Sequence, residues 1–151
     1  MCDLYVAIER DDINEVKRLI NKDKSLLNTK IHNGRTPILI ASSKERHSIV
    51  KYLLEEGADL TILDDFEENA LHKAAACNNI NLKVITLLLN KMDSCQINLS
   101  NNWGRTPLDR CYIYNYTILQ YDIIDLLHKY GAKANVHDLN GKYIKNKVSK
   151  L

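Results

Sequence analysis

The chain has 151 residues and a mass of 17.4 kDa, 45% hydrophobic and 26% charged, which suits one globular domain with a buried core and excludes compositional disorder. Lys and Arg outnumber Asp and Glu by 21 to 19, a net charge of +2, too balanced for a nucleic-acid-binding face carried by net charge. The longest uncharged apolar run, from Val84 to Leu89, is interrupted by Thr86 and falls far short of the ~20 residues that a membrane span needs. Met1-Cys2-Asp3 offers neither a basic nor an apolar leader segment, so no secretory signal is expected. Cys2, Cys77, Cys95 and Cys111 have no CxxC spacing and read as reduced thiols of a cytosolic protein. Scarce Gly (5) and Pro (2) favour helices joined by short turns, and the excess of Asn, Ile, Lys and Tyr is typical of an AT-rich genome.

In chain order, the first strong helix start is Thr36-Pro37. Threonine caps orphan N–H groups, and proline fits the first helical turn. An amphipathic stretch then closes at Gly57, within Leu53-Leu54-Glu55-Glu56-Gly57-Ala58-Asp59, where glycine supplies the left-handed conformation that ends a helix. A weaker start follows at Asn69-Ala70-Leu71-His72-Lys73-Ala74. Gly104-Arg105-Thr106-Pro107-Leu108 then restates Gly34-Arg35-Thr36-Pro37-Ile38, and Leu127-His128-Lys129-Tyr130-Gly131-Ala132-Lys133 echoes the segment ending at Asp59. Ala41 and Ala74 lie 33 residues apart, and Ala74 and Cys111 lie 37 apart, so a unit of constant length recurs with insertions.

The pattern G-x-T-P-L-H-x-A, followed by V-x-x-L-L-x-x-G-A-x-x-N, resembles the ankyrin repeat, with Asn33 to Ala41 and Val50 to Asp59 forming a nearly complete copy. The resemblance implies an all-α solenoid of helix-turn-helix units with short β-hairpin finger loops, in a single domain over residues 1–151. Its repeats are placed at about 2–29 (an N-terminal cap with core residues Leu4, Ala7, Val16, Leu19 and Ile20), 30–62, 63–99 and 100–136. Residues 137–151 form a partial cap or basic tail. The third repeat has Glu67 where glycine is usual and an enlarged loop from Lys91 to Gln96. The fourth carries extra residues around Tyr112 to Tyr121. His72 occupies the histidine slot of the pattern, which implies hydrogen bonding to backbone between repeats. Ala41, Ala58, Ala74, Ala75 and Ala132 are small where paired helices pack closely.

No reaction is written in the sequence. His32, His47, His72, His128 and His137 are scattered without zinc-ligand spacing, and no P-loop, GxGxxG or GxSxG occurs. The carboxylate pairs Asp11-Asp12, Glu55-Glu56 and Asp64-Asp65 are expected on turns or solvated helix faces. No catalytic residue, metal or cofactor is expected. Ser149-Lys150-Leu151 matches a C-terminal peroxisomal address, the alternative to a cytoplasmic location.

The resemblance implies a protein partner on the concave face, met by finger tips and by the first helix of each repeat. Carried onto this chain, the contact residues are His32, Asn33, Arg35, Ser43 and Lys44, then Asp65, Phe66, Glu68, Ala76 and Cys77, then Asn102, Trp103, Arg105, Ile113 and Tyr114. Phe66 and Trp103, the single Phe and Trp of the chain, both align with Asn33, and each is placed either to anchor a partner or to pack between fingers. Arg35 and Arg105 are placed to pair with acids of the next finger, and Tyr112, Tyr114, Tyr116 and Tyr121 to pack locally. Degenerate repeats and AT-rich composition resemble ankyrin proteins of poxviruses. That likeness implies a monomeric host-range or immune-modulating factor that sequesters a host protein, an NF-κB-pathway type of target being one option, with no nucleic acid or membrane as partner. The tail is too short for the F-box-like segment many such proteins carry. A remnant of a longer array and an intracellular bacterial effector are the alternatives.

Overall fold

The computed structural model describes residues 3–77, 81–114 and 119–135. Three of its helices bury apolar residues with the same spacing of i, i+1 and i+4: Ile49, Val50 and Leu53, then Val84, Ile85 and Leu88, then Ile123, Ile124 and Leu127. That spacing puts one stripe of each helix against a neighbour and leaves the rest to solvent. The helices in chain order are α1 (Asp3–Glu9), α2 (Ile13–Lys22), α3 (Pro37–Ser43), α4 (His47–Glu55), α5 (Ala70–Ala75), α6 (Leu82–Leu89), α7 (Ser94–Ile97), α8 (Pro107–Tyr114) and α9 (Leu119–Lys129). Among the described residues there is no strand.

Helices pair as α1·α2, α3·α4, α5·α6 and α8·α9, and the pairs stack. The first members form an inner row, α1 on α3, α3 on α5 and α5 on α8. The second members form an outer row, α2 on α4, α4 on α6 and α6 on α9. Inner helices are enclosed on several sides: Pro37 through Ser42 of α3 and all six residues of α5 are buried. The expected core of the first unit is in place, with Leu4, Ala7, Val16, Leu19 and Ile20 buried. Ala41, Ala74, Ala75 and Ala132 are buried where small residues were expected, whereas Ala58 is half-buried.

Helix ends follow the sequence signals in part. Gly57 (φ +86°) and Gly131 (φ +80°) take the left-handed conformation after α4 and α9. Asn69 caps α5 by accepting the His72 N–H at 3.0 Å. Thr36 departs from expectation: its hydroxyl caps nothing and is buried without a hydrogen-bond partner among the described residues. The enlarged loop after α6 is not wholly irregular. Asp93 accepts the Gln96 N–H at 2.8 Å, and Gln96 accepts the Asp93 N–H at 3.0 Å. This capping box closes α7 inside the loop.

Candidate functional site

Three five-residue fingers precede α3, α5 and α8, and one backbone hydrogen bond closes each. Ile31 N–H donates to Arg35 at 2.9 Å, Asp64 N–H to Glu68 at 3.1 Å and Asn101 N–H to Arg105 at 2.9 Å. The closing residues 31, 64 and 101 keep the 33- and 37-residue offsets of the sequence repeat. Among the described residues, the hairpin character expected of the fingers is reduced to a single bridge, Ile31 with Arg35. In the second finger the Asp64 carboxylate accepts the N–H groups of Phe66 and Glu68, each at 3.0 Å, and in the third the Asn101 side chain does the same for Trp103 and Arg105. Each tip contains left-handed backbone: Asn33 (φ +58°) with Gly34 (φ +67°), Glu67 (φ +58°) and Gly104 (φ +70°). Glu67 therefore holds, with a side chain, the conformation that glycine takes in the third finger.

Neighbouring fingers are joined edge to edge. Asp65 N–H donates to Asn33 O at 3.3 Å, and Asn102 N–H to Phe66 O at 3.2 Å. A Cβ added at Gly34 would lie 2.2 Å from the Asp65 carboxylate and 3.1 Å from the Asp65 backbone nitrogen, so a larger residue there would displace the Asp65 side chain. His72 adds the inter-repeat bond implied by its slot: its Nε2 meets Arg105 O at 3.0 Å, and Nδ1 lies 3.3 Å from Asn69 N–H. Burial holds its pKa below the ordinary histidine range, so the ring is neutral and Nε2 donates. Asp109 occupies the same slot in the next unit. It accepts the Thr106 N–H at 2.8 Å and the Asn135 N–H at 3.0 Å, taking over the joining role with a carboxylate.

The finger tips present Phe66 and Trp103, 37% and 56% exposed, stacked with centroids 5.5 Å apart and planes inclined by 25°. The rings pack on each other between fingers, as one of the two alternatives has it, and both remain partly exposed. Lys73 Nζ lies 5.6 Å from the Phe66 ring centre.

Behind the rings lies a charge network that the sequence pattern did not reveal. Asp64 and Glu68 are buried, contrary to the solvated turn expected of Asp64 and the partner-facing place expected of Glu68. Lys73 pairs with Asp64 and, at 2.6 Å, with Glu68. Arg110 meets Glu68 at 3.2 Å, Asn101 donates to Glu68 at 2.8 Å, and Arg35 approaches Asp64 at 3.8 Å. Burial pushes the Glu68 carboxyl up, but Lys73, Asn101 and Arg110 outweigh it and hold its pKa below the usual range. Glu68 turns inward because three donors converge on it, Lys73 from α5, Asn101 from the third finger and Arg110 from α8. The missed signal is that Glu68 stands where the flanking fingers have Arg35 and Arg105, and that Lys73 and Arg110 share one helix position.

The other expected contact residues are spread along this face. His32, Asn33, Asp65 and Asn102 are exposed on finger tips. Lys44 is exposed and pairs with Glu9 at 2.9 Å. Arg35, Ser43, Lys44, Ala76 and Cys77, with Glu45, Lys73 and Arg110, line one open cleft of about 510 Å³ beside α3, α5 and α8. The Cys77 thiol donates to Ser43 O at 3.2 Å, and burial together with Glu45 pushes its pKa up to about 12, so it is not a nucleophile. Arg105 is half-buried and has no ion pair among the described residues. Ile113 is half-buried in α8. Tyr112 meets His128 at 3.4 Å, while Tyr121 is exposed. The Tyr114 side chain, Tyr116, the 137–151 tail and Ser149-Lys150-Leu151 lie outside the described residues. Cys77 and Cys95 are free thiols. Among the described residues no cluster of His, Cys, Asp or Glu could hold a metal, and no helix is long and apolar enough to cross a membrane.

A family model described as ankyrin repeats (3 copies) matches residues 4–64 and 57–138. The chain belongs to the ankyrin repeat family. Ankyrin proteins are typically non-catalytic and bind other proteins. The chain is 34% identical over 137 residues to a putative ankyrin repeat protein of fowlpox virus, covering 89% of this chain and 38% of that protein. It is also 30% identical over 105 residues to human neurogenic locus notch homolog protein 1, and 31% identical to the zebrafish form, in each case covering 70% of this chain and 4% of the relative. The chain thus spans well under half the length of these relatives.

Proposed function

We propose that this ankyrin array is a non-enzymatic binding module of a viral host-range or immune-modulating kind, which sequesters a host protein in the cytosol. The fowlpox relative supports the viral setting. The observation that carries the binding site is the Phe66–Trp103 stack, two large apolar rings left open on consecutive, hydrogen-bonded fingers. Rigid aromatics lose little entropy when a partner covers them, which makes them the usual anchors of interfaces. An inhibitor of NF-κB signalling is one form this function takes.

The test is affinity capture from animal-cell lysate with the native chain and with Phe66→Ala/Trp103→Ala, followed by mass spectrometry. Both positions are exposed, so the variant should retain the native circular dichroism. A partner held by the native chain and lost by the folded variant is the expected result. The same partner held equally by both would remove the fingers from the site.

A further inference from the structure

The cleft beside the ring pair has a lopsided lining. Arg35, Lys44, Lys73 and Arg110 supply four cations, and Glu45 is its single carboxylate. The acids that balance Arg35, Lys73 and Arg110 sit behind them, with the Asp64 and Glu68 side chains 0% and 2% exposed, whereas Arg35 is 31% exposed; Lys44, 41% exposed, pairs with Glu9 at the rim. Arg35 is under-satisfied. Its Nε has no hydrogen bond among the described residues, and its approach to Asp64 is a distant 3.8 Å. Lys73 borders both features, lining the cleft and lying over Phe66, so the basic cleft and the rings are neighbours.

We propose that this surface takes an extended acidic segment of the protein partner, with an Asp or Glu carboxylate seated between Arg35 and Lys44 and a neighbouring apolar side chain laid on the Phe66–Trp103 pair. A partly exposed guanidinium matches a carboxylate in shape and charge. Such pairing selects among partners that the rings alone would accept. A polyanion without apolar groups would leave the rings uncovered. The inference rests on the binding-module reading and names the chemistry of its partner.

The test is fluorescence anisotropy of the full chain with three labelled probes: a short peptide alternating Glu and Leu, its Gln and Leu counterpart, and an oligothymidine of similar length. The Glu peptide should bind about tenfold or more tighter than the Gln peptide and weaken with added salt. Arg35→Gln and Lys44→Gln should each weaken the Glu peptide severalfold and leave the Gln peptide unchanged. Lys44 is exposed, so its variant stays informative even if Arg35→Gln perturbs the fold. Equal binding of the two peptides, no binding of the Glu peptide, or oligothymidine binding as tightly would overturn the proposal. Excess Glu peptide should also displace the partner captured from lysate. A partner that resists the peptide yet is lost by Phe66→Ala/Trp103→Ala would overturn the acidic-segment inference alone, whereas one kept by that variant would overturn the finger site itself.

Discussion

Lys73 stands where the preceding unit has Ile40 and the following one Arg110, and it is the sole cation within reach of both Asp64 and Glu68 among the described residues. Removing one member of a buried ionic group leaves the others charged in low dielectric, so Lys73→Met should destabilise the fold by about 3–5 kcal/mol. Chemical denaturation reads this directly, and a loss under about 1 kcal/mol would show the group to be dispensable. His72 gives a pH signature. Its folded pKa lies below the unfolded value of 6.5 because burial penalises the imidazolium. The unfolded chain therefore binds the proton first as pH falls. The stability that neutral His72 contributes is fully present above the unfolded pKa and is lost as pH drops towards the folded one, by at most about 1.4 kcal/mol per pH unit. Denaturation midpoints between neutral and mildly acidic pH should fall more steeply for the native chain than for His72→Gln. Parallel curves would contradict a buried neutral histidine.

At the scale of elements, the two Thr-Pro starts look alike in sequence and differ in structure. The Thr106 hydroxyl donates to Lys133 O at 2.7 Å and so ties α8 to the segment after α9. The Thr36 hydroxyl is buried without a partner among the described residues. Thr106→Val should thus cost about 1–3 kcal/mol, whereas Thr36→Val should be neutral or stabilising by up to about 1 kcal/mol. Equal effects in paired unfolding curves would contradict this asymmetry. The contrast shows what local pattern carries. Pro37, Pro107, Gly57 and Gly131 mark helix ends because proline's missing N–H and glycine's tolerance of positive φ act on their own segment. The Asp93 to Gln96 capping box is equally local, and its spacing stands in the sequence inside the expected loop. The inward turn of Asp64, with Asp65 facing solvent, was not legible. Which of two adjacent aspartates faces inward is set by Lys73 on α5 and by the stacking of the next finger, and no short window contains that information. The Phe66–Trp103 stack is likewise a contact between residues 37 positions apart, although both were identifiable as finger-tip aromatics.

Across the whole molecule, each inner helix is covered by the next, and the charge network crosses three units from Arg35 to Arg110. Such arrays gain stability mainly from interfaces between neighbours. Deleting residues 100–151 removes Asn101 and Arg110 from Glu68 and strips α8 from α5. The remaining fragment should be molten or aggregating, and a single cooperative unfolding transition in it would contradict the dependence on that layer. The same stacking holds the fingers in register, and their register places two rings side by side and partly exposed. Trp103 is the only tryptophan in the chain, so it reports on this site without a label. The most direct measurement is its emission and acrylamide quenching while the captured partner is titrated in. A partner seated on the fingers should shift the emission to shorter wavelength and shield the indole from quencher. Saturable binding that leaves both unchanged would contradict the finger-tip site.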